Sequence, residues 1–350
     1  MPDPRLKTHT PQAINHLARA GASLAGRQVI AGPSAGHVPP WGEAADPDFH
    51  GTLGAIWIWA RHQHLAGDAR FAAPRAAAWA FIETSARRFI PDALGSAASD
   101  EAAYDCAMVL LAHDADRGLD GGNGRRQLLA DGAARLLSSY LGDVDDLEAR
   151  EFRDPGFLAC ALIGYARTVE DRGLLASGRR FVERAFGMKT PVDFASEPAA
   201  TGGLFDFSST TATRIMAITL AEGTTPFIGA WLRERIAPIA PAAFLPRRLD
   251  ENTWNGCVAW ALGRAYVIST DPIFLEAYFA IMDELERRDG DRDGAISRDR
   301  AVKGAETAAT FYYALAADAL VTADGVTATA TAPKAAHHPG TARAGHDVRR

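Results

Sequence analysis

The sequence predicts an all-α protein of about twelve helices, arranged as six helical hairpins. Three observations carry that expectation. Val and Ile are sparse and alternating apolar–polar runs are hard to find, while Ala-, Leu-, Arg- and Glu-rich segments with a 3.6-residue period dominate. Most breaks between these segments carry Gly, Pro or Asp, as in LAGDARF, DRGLDGGNG, EDRGLL, GTTPF and STDPIF. Alternate helices begin near Asp48, Asp100, Asp154, Ser208, Glu251 and Ala305, at intervals of 52, 54, 54, 43 and 54 residues. A period near fifty in a helical chain marks a repeated helical hairpin.

In order, the periodicity places helices at about 11–25, 49–66, 68–89, 100–116, 124–141, 155–171, 174–187, 208–222, 226–238, 251–269, 271–288 and 305–322. The second and third are divided by LAGDARF, the fourth and fifth by DRGLDGGNG, the sixth and seventh by EDRGLL. GTTPF divides the eighth from the ninth, and STDPIF the tenth from the eleventh. Six hairpins can close into a ring, with six inner helices surrounded by six outer ones. Short loops such as HLAGDARF and VISTDPIF join each inner helix to the outer helix that follows it. The longer loops 26–47, 188–207 and 289–303 lead from outer to inner helix, which sets them beside the amino ends of the inner helices. Residues 1–322 form one domain. Residues 323–350, rich in Ala, Thr, Gly and Pro, are expected to be a disordered tail.

This layout, with local texture such as WALGRAYVISTDPIFLEAYFAIMDEL, resembles the (α/α)6 toroid over roughly residues 11–322. That architecture is shared by the six-hairpin glycosidases, related sugar lyases and epimerases, and the terpenoid cyclases. At the level of fold, the resemblance implies an enzyme acting on a small molecule held in the mouth of the ring. Fold alone does not choose the chemistry.

Composition narrows the classes. The 350 residues carry a formal net charge of −6, and no Lys/Arg stripe is interleaved with aromatics. A nucleic-acid partner is therefore not expected, because such binding rests on clustered basic residues. The start, MPDPRLKTHTPQAINHL, lacks the apolar region of a signal peptide. No apolar run reaches the ~18–20 residues that span a bilayer. Three scattered cysteines suggest free thiols in a reducing compartment. The expectation is a cytoplasmic globular protein with a small-molecule substrate, no membrane or nucleic-acid partner and no cofactor, its oligomeric state left open.

Each inner helix has acids near its start: Asp46 and Asp48, Asp100 and Glu101, Asp154, Asp206, Asp250 and Glu251, and Glu306. Capping explains any one of them, since Asp is a favoured N-cap and first-turn acids complement the helix dipole. Together they would surround one cavity if all six amino ends share a mouth. Glycosidic chemistry needs two carboxylates across a sugar, one protonated and one ionised. Neighbouring acids raise one another's pKa. Aromatic and polar residues accompany them: Trp41, Phe49 and His50; Tyr104 and Asp105; Arg153 and Phe157; Phe205 and Phe207; Asn252, Trp254 and Asn255. The candidates for acid–base work are Asp100, Asp154, Glu251, His50 and Tyr104. Those for substrate binding are Asp48, Arg153, Asp206, Trp254, Asn255 and Glu306. In a lyase, His50, Tyr104 and Arg153 would serve as base, acid and carboxylate-neutralising cation. His62, His64 and His113 come late in inner helices and belong to the opposite end.

Other patterns are weaker. GDVDD at 142–146 contains the DxDD of class II terpene cyclases, which would make Asp145 an alkene-protonating acid. Leu147 and Glu148 follow it, and the next inner helix begins only about eight residues later. RDGDRDGAISRDR at 288–300 resembles the start of a calcium loop through Asp289, Asp291, Asp293 and Gly294. Arg300 occupies the twelfth position, where an EF-hand has a bidentate Glu, so an acidic turn is expected rather than a metal site. Cys106, Cys160 and Cys257 each lie six residues after an acid, at equivalent repeat positions. Helix axes 8–10 Å apart cannot bring all three to one zinc, so small packing residues are expected. No Walker loop, dinucleotide fingerprint, HExxH, GxSxG or DDxxD is present. The leading expectation is a carbohydrate-active hydrolase, lyase or epimerase. A terpenoid cyclase or isomerase and a non-catalytic binding toroid are the alternatives.

Overall fold

A computed structural model describes residues 3–40, 49–89, 100–119, 124–142, 155–186, 252–270, 272–296 and 306–321. Among the described residues there are ten helices and no strand. They are α1 (Leu6–Arg27), α2 (Phe49–Ala66), α3 (Ala72–Phe89), α4 (Asp100–Asp116), α5 (Gly124–Gly142), α6 (Pro155–Thr168), α7 (Arg172–Phe186), α8 (Asn252–Ser269), α9 (Pro272–Arg288) and α10 (Thr307–Asp318). Ten helices fall short of the twelve expected. The segments 208–222 and 226–238 lie outside the described residues, as does the tail from 323.

Burial separates two kinds of helix. In α2 every residue from Gly51 to Ala60 is buried, and so are Thr307 and Ala309–Ala317 of α10. A helix apolar on all sides must be enclosed by others, whereas a helix with one apolar stripe covers them from outside. The enclosed helices neighbour one another in the order α8, α10, α2, α4, α6. Around them, α9 packs on α8 and α10, α1 on α10 and α2, α3 on α2 and α5, and α5 and α7 on α6. Short connections join enclosed to covering helices, and each of the four after α2, α4, α6 and α8 carries a left-handed residue: Gly67 (φ 65°), Gly118 (φ 85°), Glu170 (φ 57°) and Thr270 (φ 57°). Asp171 opens α7 by accepting the amides of Gly173 and Leu174 at 2.8 and 3.0 Å.

Four boundaries differ from expectation by three residues or more, one of them the end of α10 at Asp318 rather than 322. Helix α1 begins at Leu6, five residues early, and carries Pro11 inside it. Pro11 and Lys7 are both exposed, so the backbone bond lost at Pro11 falls where water can replace it. The extra turn is held by His9 Nε2, 3.0 Å from the carbonyl of Ala317. Helix α3 begins at Ala72 rather than 68 because the Asp68 side chain takes the Arg70 amide, closing a turn. Helix α6 stops at Thr168, three residues early, ahead of the left-handed Glu170.

Close approach sets up the amino ends of the enclosed helices. A Cβ on Gly256 of α8 would lie 2.6 Å from the backbone carbon of Tyr312 in α10, so only glycine lets these helices meet. The stretch 28–40 is stitched to two of the amino ends. Val38 N–H donates to Thr52 Oγ1 of α2, and Thr307 of α10 donates to the carbonyls of Pro39 and Pro40. Within it Gly36 (φ 95°) passes so near α3 that a Cβ would sit 2.1 Å from the Ala77 carbonyl oxygen. At the far end, ion pairs do the tying: Arg61 holds Asp318 through Nε at 2.9 Å, and Asp116 lies between Arg75 and Arg126 at 2.8 Å each. Among the described residues no helix is long and apolar enough to cross a membrane.

Candidate functional site at the amino ends of the enclosed helices

The first two turns of four enclosed helices bring their aromatic side chains together. His50 (α2) stacks on Tyr104 (α4), with ring centroids 4.6 Å apart and planes at 18°. Tyr104 stacks on Phe157 (α6) at 5.3 Å. Phe157 meets the edge of Tyr312 (α10) at 5.9 Å, and Tyr312 touches Phe311 at 5.1 Å. His50 returns the contact to both, at 6.3 Å from Tyr312 and 6.4 Å from Phe311. These offset and edge-to-face geometries are the favourable ones for aromatic rings.

The wall is uncharged. Burial pushes the His50 imidazole down to about 4, so it is neutral near pH 7. Burial also raises Tyr312 far above the ordinary tyrosine value, so its hydroxyl keeps its proton. With so low a pKa, His50 is a weak general base at neutral pH.

Two polar groups stand at the heads of α10 and α8. Glu306 occupies the N-cap position of α10 in extended conformation (φ −99°, ψ 135°), yet its side chain makes no capping bond. Its backbone does the anchoring: its N–H donates to Ile296 at 2.9 Å, and its carbonyl accepts the Thr310 amide and hydroxyl at 3.0 and 2.7 Å. Its carboxylate is buried and not spent on the cap. Asn255 of α8 is also buried, and its Nδ2 has no hydrogen-bond partner. A buried donor left over in this way costs free energy unless a ligand or water takes it.

Of the residues expected from the sequence, His50 and Tyr104 are brought together, and Phe157 joins them. Glu306 and Asn255 head the two adjoining helices. Asp105 is partly buried on α4, one residue from Tyr104. Asp100 is the first residue of α4, Asn252 the first of α8 and Trp254 the third of α8. Trp41, Asp46, Asp48, Asp145, Arg153, Asp154, Phe205, Asp206, Phe207, Asp250 and Glu251 lie outside the described residues. Phe311 and Tyr312 were missed. The same search for aromatics near each inner start, continued through AETAATFYYAL, finds them.

His64 is exposed, and the other discounted histidines and the cysteines lie deep in packing. His62 is buried and meets the edge of Phe71; His113 does the same with Tyr165. Cys106, Cys160 and Cys257 are buried thiols, and burial pushes Cys106 up to about 12, far from a reactive thiolate. On the outer side of α10 a cavity of about 140 Å³ lies between α1, α9 and α10, with His9, His16 and Tyr313 in its lining. Sequence periodicity does not foresee it, since it arises where three helices fail to fill the space between them.

No family model matches the chain, and neither the curated proteins nor the solved structures contain a match.

Proposed function

We propose that the chain closes as an (α/α)6 toroid and performs acid–base chemistry on a small sugar or uronate-containing saccharide at its mouth. The observation that carries this reading is Glu306, a buried carboxylate at a helix start that does not cap the helix. Capping is the ordinary reason for an acid at such a position. With capping removed, a buried carboxylate beside an aromatic wall suits proton transfer to or from a bound polar molecule. The unpartnered Asn255 amide adds a donor for a hydroxyl. The neighbour order of the ten described helices supports the ring; the expected helices 208–222 and 226–238 lie outside the described residues.

In this reading Asp100, Asp154 and Glu251 are the acid–base partners across the mouth, and His50 and Tyr104 orient the substrate through neutral hydrogen bonds. Asp48, Arg153, Asp206, Trp254 and Asn255 hold it, while Glu306, expected from the sequence to bind, joins the acid–base set. Whether the outcome is hydrolysis, elimination or epimerisation depends on the separation of the acting carboxylates.

The terpenoid cyclase or isomerase is the second reading, and a specific observation favours it: the continuous wall of His50, Tyr104, Phe157, Phe311 and Tyr312. Aromatic faces stabilise a carbocation as they stabilise other cations.

A thermal-shift screen separates the two. One panel holds sugars, sugar acids and short oligosaccharides; the other holds prenyl diphosphates and neutral terpenoids, with and without magnesium. A ligand at a hundred times its Kd adds about 2.7 kcal/mol of stability. A shift with sugars alone supports the first reading, and Glu306→Gln should then lower turnover about 10²–10⁴-fold while the fold is kept. A shift with isoprenoids alone overturns it in favour of the second. If neither panel shifts the protein, the non-catalytic binding toroid is the reading left.

A further inference from the structure

The turn that follows α9 gathers three carboxylates. One oxygen from each of Asp289, Asp291 and Asp293 lies within 4.8 Å of the other two. Asp291 is exposed and Asp293 partly buried, but Asp289 is only 2% exposed. Asp289 Oδ2 accepts the Gly294 amide at 3.1 Å and lies 3.9 Å from Arg19 Nη1. Asp289 Oδ1 is buried with no hydrogen-bond partner. An acidic turn alone needs no such residue, because exposed carboxylates are served by water. A buried carboxylate oxygen without a donor is costly, and like charges a few ångströms away add to the cost.

The turn is built into the protein. Asp293 accepts the Ala295 amide at 2.8 Å and the Ser23 hydroxyl of α1 at 2.9 Å. Arg292 (φ 57°) and Gly294 (φ 79°) turn the chain sharply, and a Cβ on Gly294 would sit 2.6 Å from the Ala20 amide nitrogen. Ile296 then donates its N–H to Thr310 and accepts from the Glu306 amide. Two α1 arginines face the cluster. Arg19 donates to the Arg292 carbonyl at 2.5 Å, and Arg27 interacts with the Asp293 charge. Neither reaches Asp289 Oδ1.

We propose that Asp289, Asp291 and Asp293 bind a calcium ion, with Oδ1 of Asp289 as the buried ligand. The donors are all hard oxygens, which suit calcium rather than zinc or copper. Their spacing is that of the first, third and fifth positions of a calcium loop, with Gly294 at the sixth. Ala295 stands at the seventh, where such loops use a backbone carbonyl. Arg300 removes the bidentate Glu of the twelfth position, so waters complete the shell and affinity is weaker than in sensor loops, on the order of 10⁻⁴–10⁻³ M. The ion neutralises the cluster and ties α1 to the head of α10, steadying the backbone that holds Glu306.

The test is calorimetric titration and thermal unfolding of the full chain with CaCl2, MgCl2 or EDTA, at matched ionic strength. Calcium should bind one equivalent and raise Tm by several degrees over EDTA, with magnesium giving a much smaller rise. Asp291→Asn, at an exposed position, should leave the EDTA Tm unchanged and abolish most of the calcium response. Asp289→Asn should abolish it too while the EDTA Tm is kept or raised, since a buried charge is gone. Two results overturn the proposal: no calcium response beyond that of magnesium, or a full response in Asp291→Asn. Neither readout depends on the substrate, so this test can fail while the proposed function stands, and the reverse.

Discussion

His16 offers a quantitative test of the packing between α1 and α10. It is 4% exposed, its ring centroid lies 4.0 Å from that of Tyr313, and its Nε2 has no hydrogen-bond partner. Burial, with Arg19 nearby, pushes its pKa down to about 3. In the unfolded chain an imidazole titrates near 6.5. Between those values the unfolded state holds the extra proton, so stability falls as pH drops below 6.5 and keeps falling toward 3. At pH 5 the unfolded imidazole is almost wholly charged and the folded one almost wholly neutral, which gives a loss of about 2 kcal/mol relative to pH 7.5. His9 and His50, each pushed down to about 4 by burial, act in the same direction. The subtraction of a variant isolates His16. His16→Phe keeps a ring against Tyr313 and removes the titration. Urea unfolding at pH 7.5 and pH 5 should show the variant losing about 2 kcal/mol less than the wild type. Equal losses in the two proteins would falsify the reasoning, because His16 would then be hydrated or paired in the fold.

Two further substitutions probe the frame. Gly256→Ala forces a methyl group into the backbone of Tyr312 and should cost about 1–3 kcal/mol in chemical unfolding, since that contact is main chain and cannot rotate away. A cost near zero would mean that α8 and α10 stand further apart than described. Asp116→Ala leaves two buried arginines, Arg75 and Arg126, without the carboxylate between them, and should cost about 3–5 kcal/mol. A loss under 1 kcal/mol would show that Gln63 and Glu83, the other acceptors of these arginines, suffice.

The chain's periodicity and punctuation located the ten described helices closely, and α2 and α4 begin and end where the pattern places them. They could do so because each enclosed helix is apolar on nearly every face and is stopped by Gly, Pro or Asp, both of which are local properties. The early start of α1 was not legible. Pro11 argues against helix there, and the turn before it depends on His9 meeting Ala317, more than three hundred residues away. The site shows the same division. His50, Tyr104, Glu306 and Asn255 could be named from the sequence as residues near helix starts. That Glu306 leaves its cap unused, and that the rings of α2, α4, α6 and α10 touch, depends on how neighbouring helices are rotated and spaced.

The acidic turn marks the boundary most clearly. The sequence by itself determined an all-helical chain with a fifty-residue repeat, acids and aromatics at the inner starts, and a DGDRDG turn after α9. Only the tertiary structure decided that Asp289 of that turn is buried under α1 with an oxygen left bare, the observation on which the proposed cation site rests. The physical reason is that burial and partnership belong to pairs of segments. A sequence window records which groups are present, whereas the packing of distant helices decides which of them keep water and which must find another ligand.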